Sequence, residues 1–126
     1  MAIVLKHGDF TERILGCAFE VHRFLGSGFQ EVIYQRALEL EFIAAKLDYS
    51  REIEQPIFYK DHKTEIGSRR ADFVVAGKVL VELKAVAVLE DVHLAQILNY
   101  LRAYRLEVGL LINFGSKSLT FKRAVL

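Results

Sequence analysis

Phe10, Ile14, Cys17, Val21 and Leu25 recur at intervals of three or four residues, the spacing of one helical face. Asp9, followed three residues later by Glu12, marks the start of that helix, and Gly26-Ser27-Gly28 stops it. A second helix is predicted over 31–46, where Ala, Leu and Glu dominate and apolar residues cover much of the circumference, so it is expected to be well buried. From Arg51 the pattern changes to short alternating runs at 52–59, 64–75 and 79–84, which predict three antiparallel strands, the last two joined across Ala76-Gly77-Lys78. The single proline, Pro56, falls in the first of these. A third helix is predicted over 91–105, and the nearly unbroken apolar run at 108–114 suits a central strand buried on both faces. Strand, helix, strand implies a right-handed parallel crossover. Residues 119–125 supply a last strand at an edge, because Lys122 and Arg123 would be costly deeper in the sheet. The expected architecture is α/β, a mixed sheet flanked by helices in the order ααβββαβ(β), in one domain over residues 1–126.

Composition narrows the function classes. With 52% apolar and 26% charged residues the chain is no disordered segment. Seventeen Lys+Arg against sixteen Asp+Glu leave a net charge of +1, far from the basic excess of a protein that coats nucleic acid. Phosphate binding therefore falls to local clusters, and the available cations are Lys60, His62, Lys63, Arg69, Arg70, Lys117, Lys122 and Arg123. Cys17 is the only cysteine, which excludes an internal disulfide, a four-cysteine iron-sulfur cluster and a cysteine-built zinc site. The longest uncharged stretch, 92–101, has ten residues, too few to span a bilayer. The first residues lack the pattern of an export signal. A cytoplasmic protein with no membrane partner is the expectation.

The sharpest chemical clue comes from the hairpin. A three-residue connection centred on Gly77 pairs Val75 with Val79, Val74 with Leu80, Phe73 with Val81, and therefore Asp72 with Glu82. Two carboxylates then lie opposite each other at a Cβ separation of about 4.5–5.5 Å, a destabilising arrangement that a divalent cation would reverse. Lys84, two residues beyond Glu82, projects from the same face. A two-residue loop would instead put Asp72 on the opposite face. On the helices, Glu31 shares a stripe with Tyr34 and Leu38, while His93, Gln96, Ile97, Tyr100, Leu101 and Tyr104 share one face of the third helix. Polar groups on a packing face need partners there. Taken alone, Gln96 with Tyr100 reads as a structural hydrogen-bond pair, and His93 as a satisfied core or rim histidine.

The run Gly28-Phe29-Gln30-Glu31-Val32-Ile33-Tyr34 resembles the pattern that names the GxxExxY proteins. Arg70-Ala71-Asp72, Glu82-Leu83-Lys84-Ala85, His93-Leu94-Ala95-Gln96 and Gly109 to Gly115 follow in that family's order. The resemblance covers about residues 14–125 and implies membership of the PD-(D/E)xK nuclease superfamily, with its restriction-endonuclease-like core. It further implies that Asp72 and Glu82 bind magnesium, with manganese as the alternative, and that Lys84 positions or activates the attacking water. Glu31 would complete the acidic cluster and serve as a further metal ligand. Gln96 and Tyr100 resemble a Gln-x-x-x-Tyr element that supports active site and substrate. Where the superfamily carries proline before the aspartate, this chain has Ala71.

Magnesium prefers octahedral oxygen coordination and keeps several waters. Asp72, Glu82, Glu31 and the backbone carbonyl of Leu83 are the expected ligands beside substrate phosphate. Two functions of different class follow: a metal-dependent nuclease acting on DNA or RNA, or a noncatalytic member that uses the fold to bind nucleic acid or protein. The presence of Asp72, Glu82 and Lys84 together favours the first. Oligomeric state stays open, with a homodimer as one option because so small a domain offers little surface to grip a duplex.

Overall fold

The structure, a computed structural model, describes residues 5–126. The first amphipathic run forms α1 (Gly8–Leu25), which buries Ile14, Cys17, Ala18 and Val21. It ends at Gly26, whose left-handed backbone (φ 70°) sends its N–H to the His22 carbonyl at 2.8 Å. The second helix, α2 (Glu31–Ala44), buries Tyr34, Gln35, Leu38 and Phe42. Between them, Gly28 takes a φ of 109° that an L side chain rarely adopts. Tyr34 fastens this turn: its hydroxyl donates to the Gly26 carbonyl at 2.6 Å and accepts the Phe29 N–H at 3.3 Å, and its ring stacks on Phe114.

Seven strands follow: β1 (Tyr49–Arg51), β2 (Glu54–Phe58), β3 (Glu65–Arg70), β4 (Phe73–Val75), β5 (Val79–Lys84), β6 (Val108–Asn113) and β7 (Thr120–Val125), with α3 (Asp91–Tyr104) between β5 and β6. The main sheet has the order β1-β4-β5-β6-β7; β5 and β6 run parallel, and the other neighbours are antiparallel. Helices α1 and α2 pack on the face carrying Phe73, Val75, Val81, Leu83 and Leu110. Helix α3 packs on the opposite face against Leu80 and Leu111. All six residues of β6 are buried, as an apolar central strand requires, and β7 lies at the edge. The sheet is mixed and flanked by helices on both faces, as the sequence predicts.

The strand order needs two corrections. The run 64–75 is not one strand but two, β3 and β4, broken at Ala71 and Asp72. In addition, β2 and β3 leave the main sheet and pair only with each other, while the unforeseen β1 takes the place beside β4. Alternation of period two runs on through the break, so periodicity cannot distinguish one long strand from two. The chain leaves β1 through Glu52, which adopts φ 54°, and the Glu52 N–H donates to the Asp72 carbonyl at 3.1 Å. Exit from and return to the main sheet are thereby tied at one point. Tyr104 of α3 closes the same junction, accepting the Ala71 N–H at 3.0 Å and donating to the Ile53 carbonyl.

Candidate active site

The register Phe73↔Val81, Val74↔Leu80, Val75↔Val79 matches the hairpin arithmetic. Beyond Phe73 the ladder stops, and side chains replace backbone as partners of the exposed edges. The Leu83 N–H donates to Asp72 Oδ2 at 2.8 Å, and the Asp72 N–H donates to Glu82 Oε1 at 3.0 Å. From α2, the Gln35 amide donates to Asp72 Oδ1 at 2.9 Å. Together with the bond from Glu52, every polar group of Asp72 is engaged, so its carboxylate has little freedom. The N–H and C=O of one strand residue point to the same edge, so the Leu83 carbonyl faces the gap that β4 vacates. Lys84, half-buried, lies on the same face of β5 as Glu82.

Burial is the main cause that pushes the Glu82 carboxyl up to about 8, and the charge of Asp72 adds to it. The Asp72 carboxyl is pushed up to about 6, again chiefly by burial, with the Leu83 N–H opposing and the charge of Glu31 reinforcing. The ammonium of Lys84 holds both down in part. Both groups bind protons more tightly in the folded than in the unfolded chain, so the folded state is favoured at low pH within this range. Stability of the metal-free protein should therefore fall as pH rises from about 4 through about 8. Differential scanning calorimetry should show a melting temperature at least roughly 5 °C higher at pH 5 than at pH 8. Glu82→Gln, which keeps an acceptor for the Asp72 N–H, should remove most of that slope. An equal slope in both proteins would place its source outside Glu82.

Glu31 occupies the first turn of α2 and is exposed; its charge reaches Asp72 and Glu82. It does not close a metal-holding trio with them, since no group of three His, Cys, Asp or Glu side chains so converges among the described residues. Tyr100 is half-buried, and its hydroxyl pKa is raised by burial and then by Glu82. Gln96, one turn earlier, is exposed and shares a groove with Tyr100. The His93 ring accepts the Glu90 N–H at 2.9 Å as part of the cap of α3.

Two further residues shape the site without having been singled out by motif. Gln35 stands four residues after Glu31, on the stripe that faces the sheet, and that spacing could have pointed to it. Tyr104 stands four residues after Tyr100 and holds Ala71 beside the catalytic candidate Asp72. The same bond accounts for alanine at the position where the resemblance expects proline, since a proline there would have no N–H to give Tyr104.

Two carboxylates and a strand carbonyl form a sparse set of hard oxygen donors. That chemistry fits magnesium or manganese, which take one or two protein carboxylates and leave room for water and phosphate oxygens, better than it fits an all-protein calcium cage. Among the described residues, no helix is long and apolar enough to cross a membrane.

A crystal structure of SSO0001 superposes with a TM-score of 0.61 at 17% identity, over 93% of this chain and 57% of that one. The present chain thus spans little more than half the length of that structure, and the likeness speaks for the fold. No curated protein sequence matches this one. The model of the PD-(D/E)XK nuclease superfamily matches residues 8–124. The carboxylate pair at the end of β4 thus sits in a chain that belongs, over nearly its whole length, to the PD-(D/E)XK nuclease superfamily.

Proposed function

We propose that this protein is a metal-dependent nuclease of the cytoplasm that hydrolyses phosphodiester bonds of DNA or RNA through a domain of the GxxExxY group. The observation that carries this reading is the meeting of Asp72 and Glu82 in one buried gap, with Lys84 on the same strand face. Membership of a nuclease superfamily supports it. The roles of Gly28, Glu31 and Tyr34 in the turn and first helical turn of α2 support the narrower grouping.

Asp72, Glu82 and the Leu83 carbonyl would hold the cation, which when bound supplies Lewis acidity and a water of lowered pKa. Gln35 and the Leu83 N–H fix the Asp72 carboxylate, so little reorganisation is needed when the substrate arrives. Glu31 contributes negative charge from the mouth of the site. Lys84 orients the attacking water and stabilises the negative charge that builds on the attacked phosphate. Gln96 and Tyr100 place the substrate at the rim.

The test is incubation with single- and double-stranded DNA and RNA in magnesium or manganese, alongside titration calorimetry of the metal. Cleavage by the wild type and metal heats lost in Asp72→Asn are the expected results. Metal heats unchanged by Asp72→Asn would remove the site. No cleavage of any substrate would leave a noncatalytic binding protein on a nuclease fold.

A further inference from the structure

The β2–β3 ribbon stands apart from the main sheet and leans over α3, and a groove of ≈510 Å³ runs between them. Ile57 and Val92 give it apolar walls, Gln96 and Asn99 give it amide donors and acceptors, and Tyr100 gives it an aromatic face. Arg69 lies in the groove opposite Gln55 on the ribbon. Its Nη1 donates to the Asn99 side chain at 2.5 Å, while its Nε is buried with no hydrogen-bond partner. A buried guanidinium donor without an acceptor is uncommon in a folded protein. Arg69 pairs with no carboxylate within 4.0 Å among the described residues, whereas its neighbour Arg70 pairs with Glu54 at 3.6 Å. With Nη1 engaged by Asn99 and Nε out of reach, the guanidinium keeps its uncompensated charge and its Nη2 for a ligand in the groove.

The groove lies on the side of the acidic pair: the ring of Tyr100, which lines it, is 6.4 Å from that of Tyr104, whose hydroxyl accepts the N–H of Ala71, the residue before Asp72. We infer that this groove holds a single polynucleotide strand next to the bond to be cut, with Arg69 as the anchor for a backbone phosphate. Three features fit that ligand. A guanidinium with no carboxylate partner favours an anion such as phosphate through a charge-assisted hydrogen bond. Aromatic and apolar walls beside amide groups are the surface on which an unpaired base stacks and hydrogen-bonds. A groove of ≈510 Å³ has the volume for a short stretch of one strand and not for a duplex. The location rests on the nuclease reading, but binding in the groove does not require turnover.

Binding is measured by fluorescence anisotropy with short labelled single-stranded DNA, single-stranded RNA and blunt duplex DNA, in calcium so that substrate is held without cleavage. Single strands should bind at least about tenfold more tightly than duplex, and the DNA and RNA arms show whether the 2′-hydroxyl matters. Arg69→Ala should weaken single-strand binding about tenfold and lower the salt dependence by roughly one phosphate contact. Ser68→Glu puts a negative charge in the groove at an exposed position and should weaken binding even if Arg69→Ala fails to fold. Lys78→Ala, at the opposite end of β5, should leave binding unchanged. Tighter binding of duplex, or single-strand affinity unaltered in Ser68→Glu and in folded Arg69→Ala, overturns the inference. A wild type that cleaves nothing yet binds single strands through Arg69 sinks the nuclease reading alone. A wild type that cleaves with both groove variants unaffected sinks the groove alone.

Discussion

Lys84→Ala should lower the rate of phosphodiester cleavage by about 10²–10³-fold, the effect of removing one preorganised stabiliser of transition-state charge. The side chain is half-buried on the face of β5 that carries Glu82, and no carboxylate lies within 4.0 Å of it among the described residues. Its truncation therefore leaves no buried partner stranded, and the melting temperature should change little. Its charge does reach both carboxyls and lowers them, so the alanine variant should bind a divalent cation as well as the wild type or better. Substrate affinity in calcium should fall only slightly, because in the proposed reaction the lysine acts mainly when charge builds on the attacked phosphate. Loss of rate with metal binding preserved is the pattern that a structural role would not produce. Cleavage at the wild-type rate in Lys84→Ala would mean a contaminating nuclease or a site elsewhere on the chain.

How far the sequence reached depends on what kind of constraint each element obeys. The faces of α1 and the apolar run of β6 are one-dimensional patterns, and the structure places both as predicted because burial alone dictates them. The meeting of Asp72 with Glu82 was accessible because counting across Gly77 fixes the register from Val75↔Val79 to Phe73↔Val81, and the positive φ of Ala76 and Gly77 suits a type I′ turn closed by the Lys78 N–H on the Val75 carbonyl at 2.9 Å. The departure of the β2–β3 ribbon was not accessible. It depends on Glu52 turning the chain and on Tyr104 clasping Ile53 and Ala71, contacts between residues far apart in sequence.

The site itself divides in the same way. Asp72, Glu82 and Lys84 lie at fixed spacing along one hairpin, whereas for Gln35 helical spacing gives only the face and not the partner, Asp72, that it meets across the helix-sheet interface. Glu31 shows the converse. Its helical stripe carries the buried Tyr34 and Leu38, but Glu31 itself, in the first turn, is exposed and short of a three-residue cluster among the described residues. Tyr34, on the same motif, serves the turn before α2 rather than the chemistry.

Gly115→Ala should destabilise the protein by about 3 kcal/mol, from overpacking plus broken buried hydrogen bonds. A Cβ at this position would lie 2.4 Å from both the Val86 nitrogen and the Val86 oxygen and 2.5 Å from the Ala85 carbonyl carbon. These are backbone atoms, so no rotamer change relieves the clash. The segment that must move is held by Asn113, fully buried, whose side chain accepts the Val86 N–H at 3.0 Å and donates to the Val86 carbonyl at 2.9 Å. It also follows directly on Lys84, whose carbonyl accepts the Phe114 N–H at 2.8 Å. The alanine should therefore lower the melting temperature by about 10 °C and, at a temperature where the variant is folded, slow cleavage by displacing the end of β5. Amide exchange at Val86 and Gly115 should accelerate before exchange at Leu110 and Leu111 does, because the damage begins where β5 and β6 end. Gly16→Ala gives the opposite sign as a control: nothing lies within 4 Å of its added Cβ in the middle of α1, so the change should stabilise by about 1 kcal/mol. A Gly115→Ala protein that melts within about 2 °C of the wild type would show that the 85–86 segment yields freely, and Asn113 would then not be what fixes Lys84 beside the carboxylates.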